Sequence, residues 1–126
     1  MTVVIDPEKL DLSEILRPGE NVVIGQACGE PTTLVHALLR QADGIGGLSA
    51  FVATSFSDTF TPASVAGLRM RSMGAIGSLR ALTAADALEI ISCHVGRIGP
   101  MLESGVLPCD CALIQVSPAD ADGYHS

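Results

Sequence analysis

Polar side chains capable of chemistry follow an apolar, strand-length run near the end of the chain. The run from Ala112 to Val116 passes directly into Ser117-Pro118 and then into a loop with two carboxylates, a tyrosine and a histidine. A buried parallel strand delivers polar groups in this way to the rim of a sheet, where such folds bind ligands. The candidate binding residues of this loop are Ser117, Asp120, Gly123 and Tyr124.

Two further polar segments follow predicted strands. Residues 25–31 come after a β-branched run, and residues 54–58 come after an apolar run. A strand, a glycine-containing loop and a helix in succession aim backbone N–H groups at a ligand and favour anions. The spacing of Gly25 and Gly29 matches neither a dinucleotide-binding fingerprint nor a Walker loop, so an ordinary strand-to-helix turn is an equal alternative. The candidate binding residues are Gly25, Gln26, Cys28, Gly29, Glu30, Thr54 and Ser55, with His94 after a later strand.

The four cysteines raise the alternative of a metal or thiol site. Such a site would use Cys93, His94, Cys109 and Cys111. Cys-x-Cys is not a usual zinc-ligand spacing and no second pair follows it, so we favour small, apolar, reduced thiols and expect no metal.

These candidates need a scaffold, and the alternation of strands and helices supplies one. The pattern predicts an α/β fold with a mostly parallel sheet covered by helices and ligands at the carboxyl ends of the strands. Glycine and proline punctuate the elements. The predicted strands are 21–24, 48–54, 67–73, 88–93 and 109–116, and the predicted helices are 12–16, a helix from Pro31 to Gln41, a short run 84–87 capped by Thr83, and 94–104 broken at Gly99-Pro100.

The third predicted strand alternates apolar and basic residues. Arg69 and Arg71 therefore share one face, which we interpret as a solvated strand face rather than an anion site. Gly74 and Gly77 after it permit a tight turn or a close backbone approach.

Length and charge limit the class of protein. The 126 residues fit one domain, and the net charge of −7 disfavours nucleic acid as a partner. No apolar run reaches the ~20 residues of a membrane span, and the N-terminus lacks the basic region of a signal peptide. We therefore expect a cytoplasmic protein without a membrane partner.

Several segments together resemble a known family. These are Leu16-Arg17-Pro18-Gly19 before a strand, Gly25 to Pro31 after it, Cys93-His94-Val95, and the C-terminal stretch from Asp110 to Ser126. They are similar to the N-terminal domain of the acetyl-CoA hydrolase/transferase family, which includes 4-hydroxybutyrate CoA-transferase. The most specific part is the strand followed by Val116-Ser117-Pro118-x-Asp120-x-x-Gly123-Tyr124.

The resemblance implies a CoA-transferase-like fold and acyl-CoA as substrate. In that family coenzyme A moves between an acyl group and a carboxylate, or to water, through a glutamyl-CoA thioester. The nucleophilic glutamate belongs to a second, C-terminal domain, so residues 1–126 are predicted to be one N-terminal domain with half an active site and no catalytic residue. By the same resemblance, Gly25 to Pro31 line the acyl or carboxylate pocket, Thr54 and Ser55 form another wall, and Ser117 to Tyr124 face the partner domain.

Other functions remain open at this point. A non-catalytic module of the same fold could bind a small carboxylate or coenzyme A, or assist assembly. If a second domain is absent, apolar residues near Phe56, Phe60 and Val116 should be exposed, and such patches usually find a partner. We therefore also expect a homo-oligomer.

Overall fold

The computed structural model describes residues 3–126 and contains a five-stranded sheet in which every paired strand is parallel. The predicted α/β class is confirmed, and the predicted "mostly parallel" sheet is parallel throughout the described residues. The first strand has the predicted bounds, and the other four are shorter than predicted. The elements are β1 (Asn21–Ile24), α1 (Thr32–Ile45), β2 (Ser49–Phe51), β3 (Arg69–Ser72), α2 (Arg80–Ala84), β4 (Glu89–Ile90), α3 (Ile98–Glu103) and β5 (Cys111–Leu113).

The strand order reverses once. The order across the sheet is β4-β3-β2-β1-β5, so successive strands move away from β1 until β4, and β5 then returns to the other side of β1. Parallel strands on both sides of β1 require connections that cross the sheet on opposite faces. The carboxyl ends of the neighbouring strands β1 and β5 therefore form the topological switch point of this fold.

The two faces of the sheet are covered unequally. The face under α1 and α2 is filled by a large apolar cluster that includes Val22, Val35, Leu38 and Leu82, all fully buried. The opposite face holds a smaller cluster around Phe51, against which α3 packs. We call these the α1 face and the α3 face.

The uncovered part of the α3 face is polar. Arg69 is exposed, and its Nε donates to Glu89 Oε2 at 2.8 Å on the neighbouring strand. Arg71 shares this face but is half-buried, and its Nε lies 3.8 Å from the same carboxylate oxygen without a hydrogen-bond partner among the described residues. The predicted solvated strand face is therefore present at Arg69, whereas the prediction is wrong for Arg71, whose side chain is only 18% exposed.

The segment before β1 is held by a side chain of α1. Gln41 Oε1 accepts the Leu12 N–H at 2.8 Å, and Gln41 Nε2 donates to the Leu10 carbonyl at 2.9 Å. The predicted helix 12–16 is instead a 3₁₀ helix at Leu12–Glu14, preceded by another at Pro7–Lys9. Ile15, directly after this 3₁₀ helix, is 52% exposed, whereas Leu12 and Leu16 are buried.

Two other helix predictions are wrong in detail. The short helix is Arg80–Ala84, so Thr83 lies inside it and does not cap it. Pro100 lies in the first turn of α3, where its missing N–H breaks no helical bond, and Gly99-Pro100 therefore does not interrupt that helix. Pro31 is at the cap position, and α1 begins at Thr32.

No helix within residues 3–126 has the length and apolar character needed to cross a membrane.

An aspartate fixes β5 beside β1. Asp110 Oδ2 accepts the Asn21 backbone N–H at 2.8 Å and its side-chain Nδ2 at 2.9 Å, while the Asp110 N–H donates to the Asn21 carbonyl. The bond from the Asn21 side chain, followed by that from its backbone, lowers the pKa of Asp110 below the ordinary value of 3.8.

We expect Asp110→Ala to lower the urea midpoint at neutral pH. A lowered folded-state pKa gives stability that is complete above the unfolded pKa and is lost as the pH falls through the folded value. The difference from wild type should therefore narrow on acidification from pH 7 to pH 3. Asp122→Ala, at an exposed tail position, is the control. A difference that stays constant with pH would contradict this role of the charge.

Candidate functional site

A buried carboxylate joins the loops that follow β1 and β2. Glu30 is 5% exposed, and its two oxygens accept the hydroxyls of Ser55 and Ser57, each at 2.7 Å. Within residues 3–126 no cation lies at ion-pair distance from Glu30. These hydroxyl bonds offset the free-energy cost of burying the carboxylate. Moving the two loops apart would break the bonds, so the loops are held at their present separation.

Backbone geometry also holds the loop after β1 against the loop after β2. Ala27 has a positive φ of 51°, unusual for a residue with a side chain, and its N–H donates to the Thr54 carbonyl at 2.9 Å. A Cβ at Gly25 would lie 2.6 Å from the Gly29 carbonyl oxygen. Glycine is therefore required at position 25 for the loop to fold back on itself.

The loop after β3 is attached to the same cluster. Gly77 forms a parallel bridge with Ser55, and a Cβ at Gly77 would overlap the Ser55 carbonyl oxygen. The Ser78 N–H and hydroxyl both donate to that oxygen, at 2.9 and 3.1 Å. The predicted close approach at Gly77 is thus present, and three successive strand ends share one hydrogen-bonded cluster.

A shallow groove of about 320 Å³ lies at the switch point. One wall is the start of α1, residues 31–34, and the other is the segment after β5, residues 114–116. Strand order reverses between β1 and β5, and open parallel sheets bind ligands in the crevice at this place. The groove combines apolar Leu34, Ile114 and Val116 with threonine hydroxyls.

The residues of α1 that line the groove include backbone amides without a protein acceptor. No side chain caps α1, and its first helical bond runs from the Val35 N–H to the Pro31 carbonyl at 3.0 Å. The amides of Thr33 and Leu34 precede that bond, and in residues 3–126 neither donates to a protein group. Such amides, with the positive end of the helix dipole, favour a negatively charged or strongly polar ligand atom.

The tail loop is closed by its own hydrogen bonds. The Ser117 N–H donates to the Ser126 carbonyl at 2.6 Å, and Asp120 Oδ1 accepts the N–H groups of Asp122 and Tyr124. Gly123 has a φ of 84°, which permits the turn. Tyr124 is 73% exposed. Within the described residues no hydrogen bond connects this loop to those after β1, β2 or β3.

His94 is exposed after β4 and caps the following 3₁₀ helix. Its Nδ1 accepts the Gly96 N–H at 3.2 Å, which leaves Nε2 facing away from this turn. No hydrogen bond brings His94 to the buried Glu30 cluster among the described residues.

The four cysteines are not grouped with other metal-ligating side chains in the part of the chain that the structure describes. Within residues 3–126 no three His, Cys, Asp or Glu side chains are grouped so that they could hold a metal ion. Burial, and secondarily Cys109 and Glu20, raises the pKa of the Cys111 thiol, which disfavours the thiolate that a metal would require.

Exposure separates the predicted site residues into two groups. Glu30 and Ser55 are buried and bonded to each other, so their side chains support the loops rather than face solvent. The others are exposed or half-buried at the carboxyl edge: Gly25, Gln26, Cys28, Gly29, Thr54, His94, Ser117, Asp120, Gly123 and Tyr124.

Apolar side chains also lie open at this edge. Phe56 is 70% exposed and Val116 is 47% exposed, as expected. The same expectation is wrong for Phe60, which is 1% exposed and belongs to the core of the α1 face. After Asp58 the chain turns back toward the core of the α1 face. Phe56 therefore points to solvent, while Phe60, four residues later, points into the core.

A second depression, of about 340 Å³, lies at the opposite edge, where β3 and β4 begin. Arg69 in this depression is already paired with Glu89, because Arg69 Nη2 lies 2.7 Å from Glu89 Oε2. Since parallel sheets bind ligands at the carboxyl edge, we assign the candidate site to the switch-point groove instead.

No protein-family model matches this chain, and no curated protein matches it.

Sequence reasoning missed the groove residues Thr32, Thr33, Ile114, Gln115 and Val116 as binding candidates. Thr32 and Thr33 lie past the loop that ends at Glu30, on the helix start, and residues 114–116 were predicted as strand, whereas β5 ends at Leu113. The pairing of β5 with β1, which makes the two segments neighbours, has no local signal.

Glu30→Ala should destabilise the fold by about 2–4 kcal/mol, because it leaves two buried hydroxyls without their acceptor. Glu30→Gln should cost about 1 kcal/mol, since the amide can still bond both hydroxyls. Urea unfolding checks the order of the two variants.

Glu103→Ala, an exposed glutamate on α3, serves as the control. Amide hydrogen exchange of residues 54–59 should accelerate in Glu30→Ala and should not change in Glu103→Ala. Equal stability of the variants at positions 30 and 103 would contradict the linking role of the buried carboxylate.

Proposed function

We propose that this chain is the N-terminal domain or subunit of a cytoplasmic acyl-CoA hydrolase or CoA-transferase, supplying the substrate-binding half of the site. The observation that carries the proposal is the groove at the switch point, bounded by the start of α1 and the residues after β5. Residues 114–116 belong to a segment that resembles the acetyl-CoA hydrolase/transferase family, and the α1 boundary begins at Pro31, the last residue of another such segment.

The chemistry of the groove suits a short acyl group or small carboxylate. The free amides of Thr33 and Leu34 offer two donors to a carboxylate or to a thioester carbonyl oxygen. Ile114 and Val116 offer apolar contact to the short carbon chain. A volume of about 320 Å³ accommodates such a fragment, while the larger remainder of coenzyme A would lie outside.

The nucleophile would come from a partner. In the proposed reaction a glutamate of the C-terminal domain would attack the thioester carbonyl and expel the coenzyme A thiolate, leaving a mixed acyl-glutamyl anhydride. The thiolate would then attack the glutamyl carbonyl, forming the glutamyl-CoA thioester and releasing the acyl group as a carboxylate. The present chain would orient the acyl group and exclude water around it. The assembled enzyme would also be a homo-oligomer.

The groove also supports a second candidate, a non-catalytic module that binds a small carboxylate or coenzyme A. Its lining contains no carboxylate, thiol or imidazole, and Glu30 is engaged by Ser55 and Ser57. The groove by itself therefore binds without providing a nucleophile or a base.

Binding to the groove can be tested with acetyl-CoA, coenzyme A and acetate in an NMR titration of backbone amides. We expect shifts in the amides of residues 33–34 and 114–116. Thr33→Asp should weaken anion binding about tenfold, because it adds negative charge beside the donors, yet it should not destabilise a helix start.

The matched control is Thr83→Asp, at an exposed position of α2 far along the chain. It should bind as the wild type does. Ligand shifts confined to other surfaces, or equal weakening by both variants, would overturn the assignment of the groove.

Catalysis distinguishes the two candidates. The chain mixed with a separately produced catalytic domain of a two-domain CoA-transferase should exchange acetyl-CoA with a carboxylate, while the chain alone should not. Turnover by the chain alone would refute the half-site proposal. Groove binding without any gain in the mixture would favour the binding module.

A further inference from the structure

The backbone of β5 is unpaired on its outer side. Within residues 3–126, β5 pairs with β1 alone, and the Gly25 N–H donates to the Leu113 carbonyl at 2.8 Å. In a trans peptide the next N–H points the opposite way, so the Ile114 N–H is directed away from the sheet. Strand alternation gives Ala112, two residues earlier, the same outward direction.

This edge carries neither charge nor an early proline, two of the features that prevent strand pairing, although β5 itself has three residues. Residues 111–119 contain no charge, and no proline occurs before Pro118. Ile114 is 61% exposed and Ala112 is exposed beside it. The other edge differs, because β4 has two residues and one of them, Glu89, is charged and bonded to Arg69. Charge and short length protect an edge, and only β4 has both.

The edge of β5 is complementary to itself. In an antiparallel pair centred on Leu113, with Ile114 continuing the strand, Ala112 of each copy would lie opposite Ile114 of the other, and both residues would direct their N–H and C=O groups outward. Two such pairs provide four hydrogen bonds, and each small side chain faces a large one. Asp110 would lie opposite Val116 of the second copy, so the register opposes no like charges.

We propose that the β5 edge, residues 111–116, pairs antiparallel with the same edge of a second copy of this chain, forming a continuous ten-stranded sheet. A net charge of −7 makes two copies repel over most of their surface, and the uncharged edge is the place where they can approach. Residues 114–116 also line the groove, but the pairing uses the backbone of the edge and does not rest on the proposed ligand chemistry.

Sedimentation of the full chain over a concentration series, together with amide hydrogen exchange, tests the proposal. The wild type should form dimers, and the amides of Ala112 and Ile114 should exchange more slowly as concentration rises. The inward amide of Leu113 should not depend on concentration. Ile114→Lys should weaken the dimer about tenfold or more by placing a charge on the edge.

Ile90→Lys makes the same change at the β4 edge, where Ile90 is 43% exposed, and should leave the dimer unchanged. Circular dichroism verifies that both variants fold, and Ala112→Lys is a second edge variant should Ile114→Lys unfold. A wild type that stays monomeric at millimolar concentration overturns the proposal. So does equal weakening by the changes at positions 114 and 90, or an Ala112 amide insensitive to concentration.

Discussion

The carboxyl edge of this protein depends on one buried carboxylate. Burying Glu30 would be costly without compensation, and the hydroxyls of Ser55 and Ser57 supply it. Ser55 in turn accepts two bonds from Ser78 through its carbonyl. Three loops of separate strands are thereby fixed relative to one another, and the start of α1 directly after Glu30 is fixed with them.

The position of α1 then determines where a ligand can bind. Its uncapped first turn lies next to the residues that follow β5, since β5 pairs with β1 rather than with β4. Free amides and apolar side chains meet only because of this pairing. The same pairing leaves β5 at the edge of the sheet, so the ligand groove and the proposed dimer edge have a common topological origin.

Two of the residues predicted to contact a ligand are buried in the structure, for a reason that their local sequence does not reveal. Residues chosen from sequence as ligand contacts include Glu30 and Ser55, and the structure assigns both to internal support. A carboxylate beside a glycine-rich loop has the same local pattern whether it faces a ligand or a pair of serines. The difference lies in residues 25 positions away in the chain, which no local pattern reveals.

By itself the sequence determined the local elements. β-Branched runs ended by glycine predicted β1, the spacing of Val35 and Leu38 predicted α1, and the repeated alternation predicted the parallel α/β class, because these follow from short-range sterics and periodicity. Tertiary structure alone decided strand order, the burial of Phe60 rather than Phe56, and the groove. Each of these depends on contacts between segments distant in sequence, whose free energy is absent from any local window.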